Sequence, residues 1–149
     1  MGISVRWAQP NDLEWIVAEL RKFSEFYGSH HTLFGDTEYV TNTVAGLIKD
    51  HVFLVAISGT ELLGFIGGAL HDHFYNPKIK VLSGLVWLVT KQFRSTSAGV
   101  DLLQAFSEWG RKCADWITLS IPNHSHLSQE SLSRFGFMFQ EKTYLLEVV

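Results

Sequence analysis

The chain is poor in the residues that cross-link small proteins or build cysteine-based metal sites. Cysteine occurs once, at Cys113, which excludes an internal disulfide and a zinc site made of cysteines. No apolar run approaches the roughly 18 residues of a membrane-spanning helix. The first residues lack the basic and apolar regions of a signal peptide. We therefore expect a cytoplasmic protein without a membrane partner.

Charge is also scarce, and its distribution limits the partners. Charged residues make up 18% of the 149 residues, the net charge is -3, and no basic run is interleaved with aromatic residues. A nucleic-acid partner is therefore not expected. The chain is instead 46% hydrophobic and 13% aromatic. Because repeats and linkers are absent, this composition predicts one domain over residues 1–149 with a sizeable core.

The most informative segment begins at Trp87, where an apolar strand runs through Val89 into a turn of small residues. A helix follows, because apolar residues recur at spacings of three and four, at Leu102, Leu103, Phe106, Trp109 and Cys113. The first amides of a helix have no intrahelical acceptor and point at any anion placed there. Arg94 adds a positive charge, which favours a metal-free pyrophosphate site. A turn in which Ser and Gly merely cap the helix is the alternative.

Periodicity and turn residues predict the remaining elements. Asn11 with Glu14 indicates a capping box for a first helix, and Thr37 can cap a second. A short helix is expected at about 125–134, and Asn76-Pro77 marks a hairpin turn. Strands are expected at 3–8, 52–57, 62–70, 79–89, 116–121, 137–139 and 144–148. The predicted order is βααβββαβαββ.

Residues 89–99 resemble the acetyl-coenzyme A signature of the GCN5-related N-acetyltransferases (GNAT). In that signature a strand ending in Val precedes Arg-x-x-Gly-x-Gly or Ala and a Leu-rich helix. Here Arg94 follows Val89 by five residues, Ser97 stands at the first glycine and Gly99 at the second. The Arg-x-x-x-Ala-Gly form is also similar to a variant in small bacteriophage GNAT-like proteins, which would mean the host cytoplasm if a phage encodes the chain. The element order and the ending Arg134-Phe135-Gly136-Phe137, similar to the family's Leu-Gly-Phe, extend the resemblance over nearly the whole chain.

The resemblance implies a single α/β (α+β) GNAT domain. Its mixed, mostly antiparallel sheet would have six to seven strands and about four helices. Two strands, ending at Val89 and Ile121, would splay apart to admit the pantetheine arm of acetyl-coenzyme A, and a backbone amide near Leu88 or Val89 would bind the thioester oxygen. The implied cofactor residues are Trp87, Leu88, Val89, Arg94, Ser95, Thr96, Ser97, Ala98, Gly99, Val100 and Asn123.

Two proton-transfer residues that are usual in the family have no counterpart here. A Glu is common on the strand before the signature, but Ser83 and Gly84 occupy the matching positions, and no acid occurs between Asp72 and Asp101. The usual Tyr corresponds to Leu132. An alkyl ammonium is neutral in only about one molecule in a thousand at pH 7, so the transfer needs a base from elsewhere.

Other side chains are candidates for these catalytic roles. His71 and His73 share one face of a strand end, where one could serve as base, although an exposed hairpin end is the plainer interpretation. Asn123 could bond the pantetheine arm or order a water molecule, and Ser128 could replace the Tyr. A metal site is not expected, because nothing in the spacing brings together the two histidine pairs, His71 with His73 and His124 with His126.

Aromatic segments that frame the family's cleft suggest the acceptor site, at Phe26, Tyr27, His30, Phe34 and Tyr75. We predict an acetyl-coenzyme A-dependent N-acetyltransferase that moves acetyl to a primary amine of a small molecule or protein, by direct attack in a ternary complex. The alternative is a GNAT-fold module of weak or no activity that binds the cofactor or a protein partner. A homodimer paired through the strand end at 143–149 stays open.

Overall fold

The computed structural model describes residues 2–25, 33–122 and 127–148. These residues form a mixed α+β structure with five strands and four α-helices, none of which is long and apolar enough to cross a membrane. In chain order the elements are β1 Ser4–Trp7, α1 Leu13–Ser24, α2 Thr37–Asp50, β2 Val52–Ser58, β3 Glu61–His73, β4 Asn76–Val89, α3 Ala98–Cys113, β5 Trp116–Leu119 and α4 Gln129–Ser133.

The strands lie in one sheet in the order β1-β2-β3-β4-β5. The first four pair antiparallel with their neighbours, whereas β5 pairs parallel to β4 after the chain has crossed over through α3. The predicted order of elements is confirmed as far as α4. The two closing strands are wrong, because the described residues 137–148 form no strand, and the sheet has five strands rather than six or seven. Large apolar side chains there, such as Met138 and Tyr144, are exposed, although Phe137 packs against the core.

The sheet has a hydrophobic core on each face. Phe53, Phe65 and Ile16 belong to the core under α1 and α2. Leu54 and Phe106 belong to the core under α3. The strand β2 therefore reads as a continuous apolar run because it is buried on both faces.

Several boundaries differ from the sequence-based expectations. The second hairpin turns at Phe74-Tyr75, and β4 already begins at Asn76. Helix α2 is capped by Asp36, whose carboxylate accepts from the amide of Glu38 at 2.7 Å, rather than by Thr37. Short polar side chains compete for such positions, so a cap predicted from sequence is easily displaced by one residue.

At the start of α1, a capping box between Gln9 and Asp12 stands in place of the expected one between Asn11 and Glu14, and Asp12 also forms a partly buried ion pair with Arg6. Arg6 donates to both carboxylate oxygens of Asp12, at 2.8 and 3.0 Å, and the amide of Gln9 donates to the same carboxylate at 2.8 Å. Burial acts to raise the pKa of Asp12, but these hydrogen bonds outweigh it, so the pKa lies below its usual value. The pair fastens the edge strand β1 to the turn that leads into α1.

We predict that Asp12→Asn destabilises the fold by about 2 kcal/mol at pH 7, because it removes a charge that satisfies Arg6 and a backbone amide. The folded pKa of Asp12 is depressed, so its stabilisation is present above the unfolded value of about 3.9 and is lost as pH falls through the folded pKa. Urea unfolding should therefore show the two proteins converging in acid. Glu14→Gln, at an exposed acid of the same helix, is the control. A gap that persists in acid would contradict this origin.

Candidate functional site

The turn between β4 and α3 is built by a continuous series of local hydrogen bonds. Thr90 donates its amide and its hydroxyl to the carbonyl of Leu63, at 2.9 and 3.2 Å, which fixes the end of β4 against β3. One turn of 3-10 helix, Lys91–Phe93, follows, and Thr96 then donates its amide to the carbonyl of Phe93. The chain enters α3 with its path fixed on both sides of the turn.

Three of the four amides at the start of α3 are open. Within the described residues of the chain, those of Ser97, Gly99 and Val100 donate to no acceptor, whereas the amide of Ala98 donates to Thr96 Oγ1 at 3.3 Å. Ser97 does not cap the helix, because its hydroxyl donates to the carboxylate of Asp101 at 2.8 Å. Helix α3 has 16 residues, so its N-terminus also carries the positive end of a full helix dipole. The geometry therefore favours an anion site over a turn that is closed by its own side chains.

Arg94 is anchored beside these amides. Its Nε donates to the carbonyl oxygen of Val89 at 3.0 Å, which holds the guanidinium across the mouth of the turn. The side chain is exposed, and its terminal nitrogens make no hydrogen bond to the described residues. Those nitrogens can bind a phosphate oxygen while Nε keeps the side chain in place.

The small residues of the turn have different tasks. The side chain of Ala98 is fully buried in the core under α3, where it packs, and its proposed part in cofactor binding concerns its main chain and stays a prediction. Ser95, Thr96 and Val100 are exposed. At Gly99 an added Cβ would lie 3.5 Å from Val89 Cγ2, an ordinary contact, and its φ is not positive. The fold does not require glycine there, which fits a need for close approach to the main chain.

The strands β4 and β5 separate shortly after the pair Ser83↔Thr118. Their last paired residues are Gly84 and Leu119, whereas β4 continues to Val89. Backbone groups of a strand alternate between its two edges. Alternate groups of residues 85–89 therefore face the open side, where no strand of the described chain pairs with them. Strand β5 ends at Leu119 rather than at Ile121, with all four of its residues paired, so the open edge of β4 arises because β5 ends and the expected splay stays a prediction.

The side chains of this open segment divide between the two cores. Trp87 and Val89 pack partly buried against the core under α3, and Leu88 lies in the core under α1 and α2. The side chains thus anchor β4 to the two cores. Its backbone N–H and C=O groups at the open edge remain available for hydrogen bonding.

A row of polar side chains, His71, Ser83 and Thr118, crosses β3, β4 and β5 next to the point of separation. His71 Nε2 lies 2.6 Å from Ser83 Oγ, and Thr118 Oγ1 donates to the same oxygen at 3.3 Å. The neighbouring Leu82 and Ile117 pack under α3, so this polar row lies on the opposite face, toward α1 and α2. The sequence singled out His71 but missed its contact with Ser83.

The second predicted histidine has other neighbours. His73 Nδ1 accepts from the amide of Tyr75 at 3.2 Å, and its ring packs edge-on against Trp116 with centroids 4.7 Å apart. Tyr75 itself is 85% exposed on the hairpin. His73, Tyr75 and Trp116 therefore form an aromatic cluster beside the polar row, and His73 does not share the hydrogen bonds of His71.

The remaining predicted site residues are dispersed. Ser128 is the cap of α4, where it accepts from the amide of Ser131 at 3.1 Å. Phe34 packs under the guanidinium of Arg21, 4.4 Å from its ring centroid. Leu132 packs against the core under α3 and offers no hydroxyl. Phe26, Tyr27, His30 and Asn123 lie outside the described residues.

Cys113 and one of the two histidine pairs lie among the described residues. Cys113 is exposed as the last residue of α3, although its spacing from the buried Phe106 and Gly110 puts it on the same face of the helix. In residues 2–25, 33–122 and 127–148, no three His, Cys, Asp or Glu side chains are grouped so that they could hold a metal ion. His124 and His126 lie outside these ranges.

The architecture matches solved acetyltransferase structures. A probable acetyltransferase superposes with a TM-score of 0.74 at 21% identity, over 100% of this chain and 99% of that chain. A GNAT family acetyltransferase of Staphylococcus aureus gives 0.68 at 16% identity, over 99% and 100%. This chain has the GNAT fold.

An aminoglycoside acetyltransferase from an uncultured soil metagenomic sample, in complex with sisomicin, has the same fold. Its TM-score is 0.69 at 13% identity, over 99% of this chain and 95% of that chain. No family model and no curated protein matches the sequence. The likeness therefore lies in the GNAT architecture.

We predict that Gly99→Ala raises the stability of the ligand-free protein by about 0.5–1 kcal/mol, because alanine favours the helix and meets only ordinary contacts. Gly68→Ala is the contrasting variant, since its Cβ would lie 2.5 Å from Ser83 O and 2.8 Å from Phe106 Cζ. Thermal unfolding measures both. If Gly99→Ala were the more destabilising of the two, the fold and not a ligand would require Gly99.

Proposed function

We propose that this protein is an acetyl-coenzyme A-dependent N-acetyltransferase whose acceptor is a primary amine. One observation carries the proposal. The open amides at the start of α3 lie beside the anchored guanidinium of Arg94, at the end of β4, where β4 no longer pairs with β5. The GNAT fold of the chain supports it. The similarity of the turn to small bacteriophage proteins stays a prediction from sequence.

The residues present fit coenzyme A. The amides of Ser97, Gly99 and Val100 and the guanidinium of Arg94 would hold the pyrophosphate, which needs donors and positive charge but no metal. The pantetheine arm would follow the open edge of β4, beside Trp87, Leu88 and Val89, where an amide can bind the thioester oxygen. The bound cofactor supplies an activated acetyl group, and Asn123 remains a proposed contact to its arm.

Of the candidates for proton transfer, His71 fits best. Ser128 uses its hydroxyl to cap α4, and the Nδ1 of His73 accepts from a backbone amide. His71 directs Nε2 toward the point where β4 and β5 separate. An imidazole can accept a proton near neutral pH, which is the task that the absent Glu would perform.

The acceptor class is argued from the surroundings of that point. The aromatic cluster of His73, Tyr75 and Trp116 provides apolar faces and π-electron density, which suit an amphipathic or cationic amine. Phe26, Tyr27, His30 and Phe34 stay proposed contacts from the segment between α1 and α2. A small amine and a protein lysine both fit this description.

We predict that acetyl-coenzyme A at 100 times its dissociation constant raises the melting temperature by on the order of 5–10 °C, because it binds only the folded state. Arg94→Ala and Gly99→Glu should abolish the shift by removing the charge and by filling the anion site with a carboxylate. Arg111→Ala, at an exposed arginine in the last turn of α3, is the control. An unshifted wild-type protein at millimolar ligand would refute cofactor binding.

We predict that wild-type protein releases free thiol from acetyl-coenzyme A when a suitable amine is present, and that the acetylated amine is found by mass spectrometry. The panel should contain polyamines, aminoglycosides, lysine peptides and the protein alone. Gly99→Glu, which should not bind the cofactor, sets the background. Binding without turnover on any acceptor would instead support the alternative, a GNAT-fold module that acts by binding its cofactor or a partner.

A further inference from the structure

The direction of the hydrogen bonds in the polar row follows from the groups around His71. Its Nδ1 lies 2.9 Å from the carbonyl oxygen of Asp72, which can only accept, so Nδ1 carries the hydrogen of the neutral ring. Nε2 is then unprotonated and accepts from the hydroxyl of Ser83. The oxygen of Ser83 in turn accepts from Thr118. The row thus holds the unprotonated Nε2 of His71 in a hydrogen bond with the hydroxyl of Ser83.

Ser83 lies at the end of the paired part of β4, where its hydrogen bond with His71 can serve proton transfer. Ser83 is half-buried and immediately precedes Gly84, the last residue of β4 that pairs with β5. A serine hydroxyl alone is a poor base, and it can deliver a proton only to a partner that accepts one. His71 Nε2, at 2.6 Å, is such a partner.

The charges around His71 are largely paired with one another. Asp72 forms an ion pair with Lys80, and both line a cavity of about 330 Å³ with Leu70, His71 and Cys113. Among the described residues no carboxylate bonds the His71 ring. The other titratable neighbours are His51, which accepts from the amide of Leu70, Asp115, which accepts from the amide of Lys80, and His73.

We propose that Ser83 and His71 form a proton relay for acetyl transfer, an inference that rests on the proposed function. The acceptor ammonium gives a proton to Ser83 Oγ while the Ser83 hydroxyl proton passes to Nε2 of His71. The neutral amine nitrogen then bonds to the thioester carbon, and the carbon–sulfur bond breaks with its electron pair on sulfur. A second amine proton neutralises the thiolate, and His71 releases its proton to water. Ser83 contacts the acceptor, and His71 acts through it.

The kinetic test compares four variants on the best acceptor. Ser83→Ala and His71→Gln should each lower kcat by about 100-fold, within the range of general base catalysis, with the KM for acetyl-coenzyme A unchanged. Ser83→Thr keeps a hydroxyl and should retain most of the activity. Ser58→Ala, at the far end of β2, is the control. The pH profile of kcat should differ between the wild-type protein and His71→Gln, which a merely structural role of His71 would not produce.

A second measurement needs no turnover. Two-bond proton–nitrogen NMR spectra of ligand-free protein, labelled with 15N in histidine, should show His71 protonated at Nδ1. Its Nε2 resonance should shift in Ser83→Ala. The spectrum of His71→Gln identifies the signal, and protonation at Nε2 in the neutral ring would overturn the relay.

The outcomes separate the relay from the function on which it rests. Full activity in Ser83→Ala and His71→Gln overturns the relay and leaves the acetyltransferase. Absence of wild-type turnover on every acceptor overturns both. An acetyl group found on Ser83 by mass spectrometry would make that serine a nucleophile, which also overturns the relay.

Discussion

The candidate site depends on the unequal lengths of β4 and β5. Strand β5 has four residues and β4 has fourteen, so their pairing must end while β4 still has one edge to satisfy. Backbone donors and acceptors left at such an edge are strong hydrogen-bonding groups. An extended ligand with amides of its own, such as pantetheine, can pair with them. The mismatch thus leaves an open strand edge without a strained residue, since positive φ occurs among the described residues only at glycines.

Rigid packing keeps the other half of the site in place. Helix α3 is fixed to the sheet by Ala98, Leu102 and Phe106, all fully buried, and Ala98 is the first residue of the helix. The open amides of Ser97, Gly99 and Val100 therefore flank a core residue, Ala98, which fixes their position. A ligand that binds them gains donors already oriented, which lowers the entropic cost of binding.

The order of elements up to α4, including helix α3 and the turn before it, could be predicted from the sequence. The spacing of apolar residues defines α3, and the small residues before it define the turn. The contact between His71 and Ser83 could not be predicted, because β4 carries one extra residue, Leu85, between the partners of Gly67 and Gly68. Alternation counted back from Val89 would put Ser83 under α3, and this bulge moves it to the other face. The prediction of two closing strands was wrong for a different reason. Alternation of apolar and polar residues does not show whether a neighbouring strand is there to pair with the segment.

Under the proposed function, a serine at position 83 affects more than proton transfer. A Glu there would attract an ammonium group as well as accept its proton, whereas a neutral serine and imidazole can only accept the proton. The attraction must then come from elsewhere. Trp116 lies two residues before Thr118 on the same face of β5, and its ring with those of His73 and Tyr75 offers π faces beside the polar row. Because a π face attracts a cation less strongly than a carboxylate does, acceptor selection at this site should depend more on apolar shape than on charge.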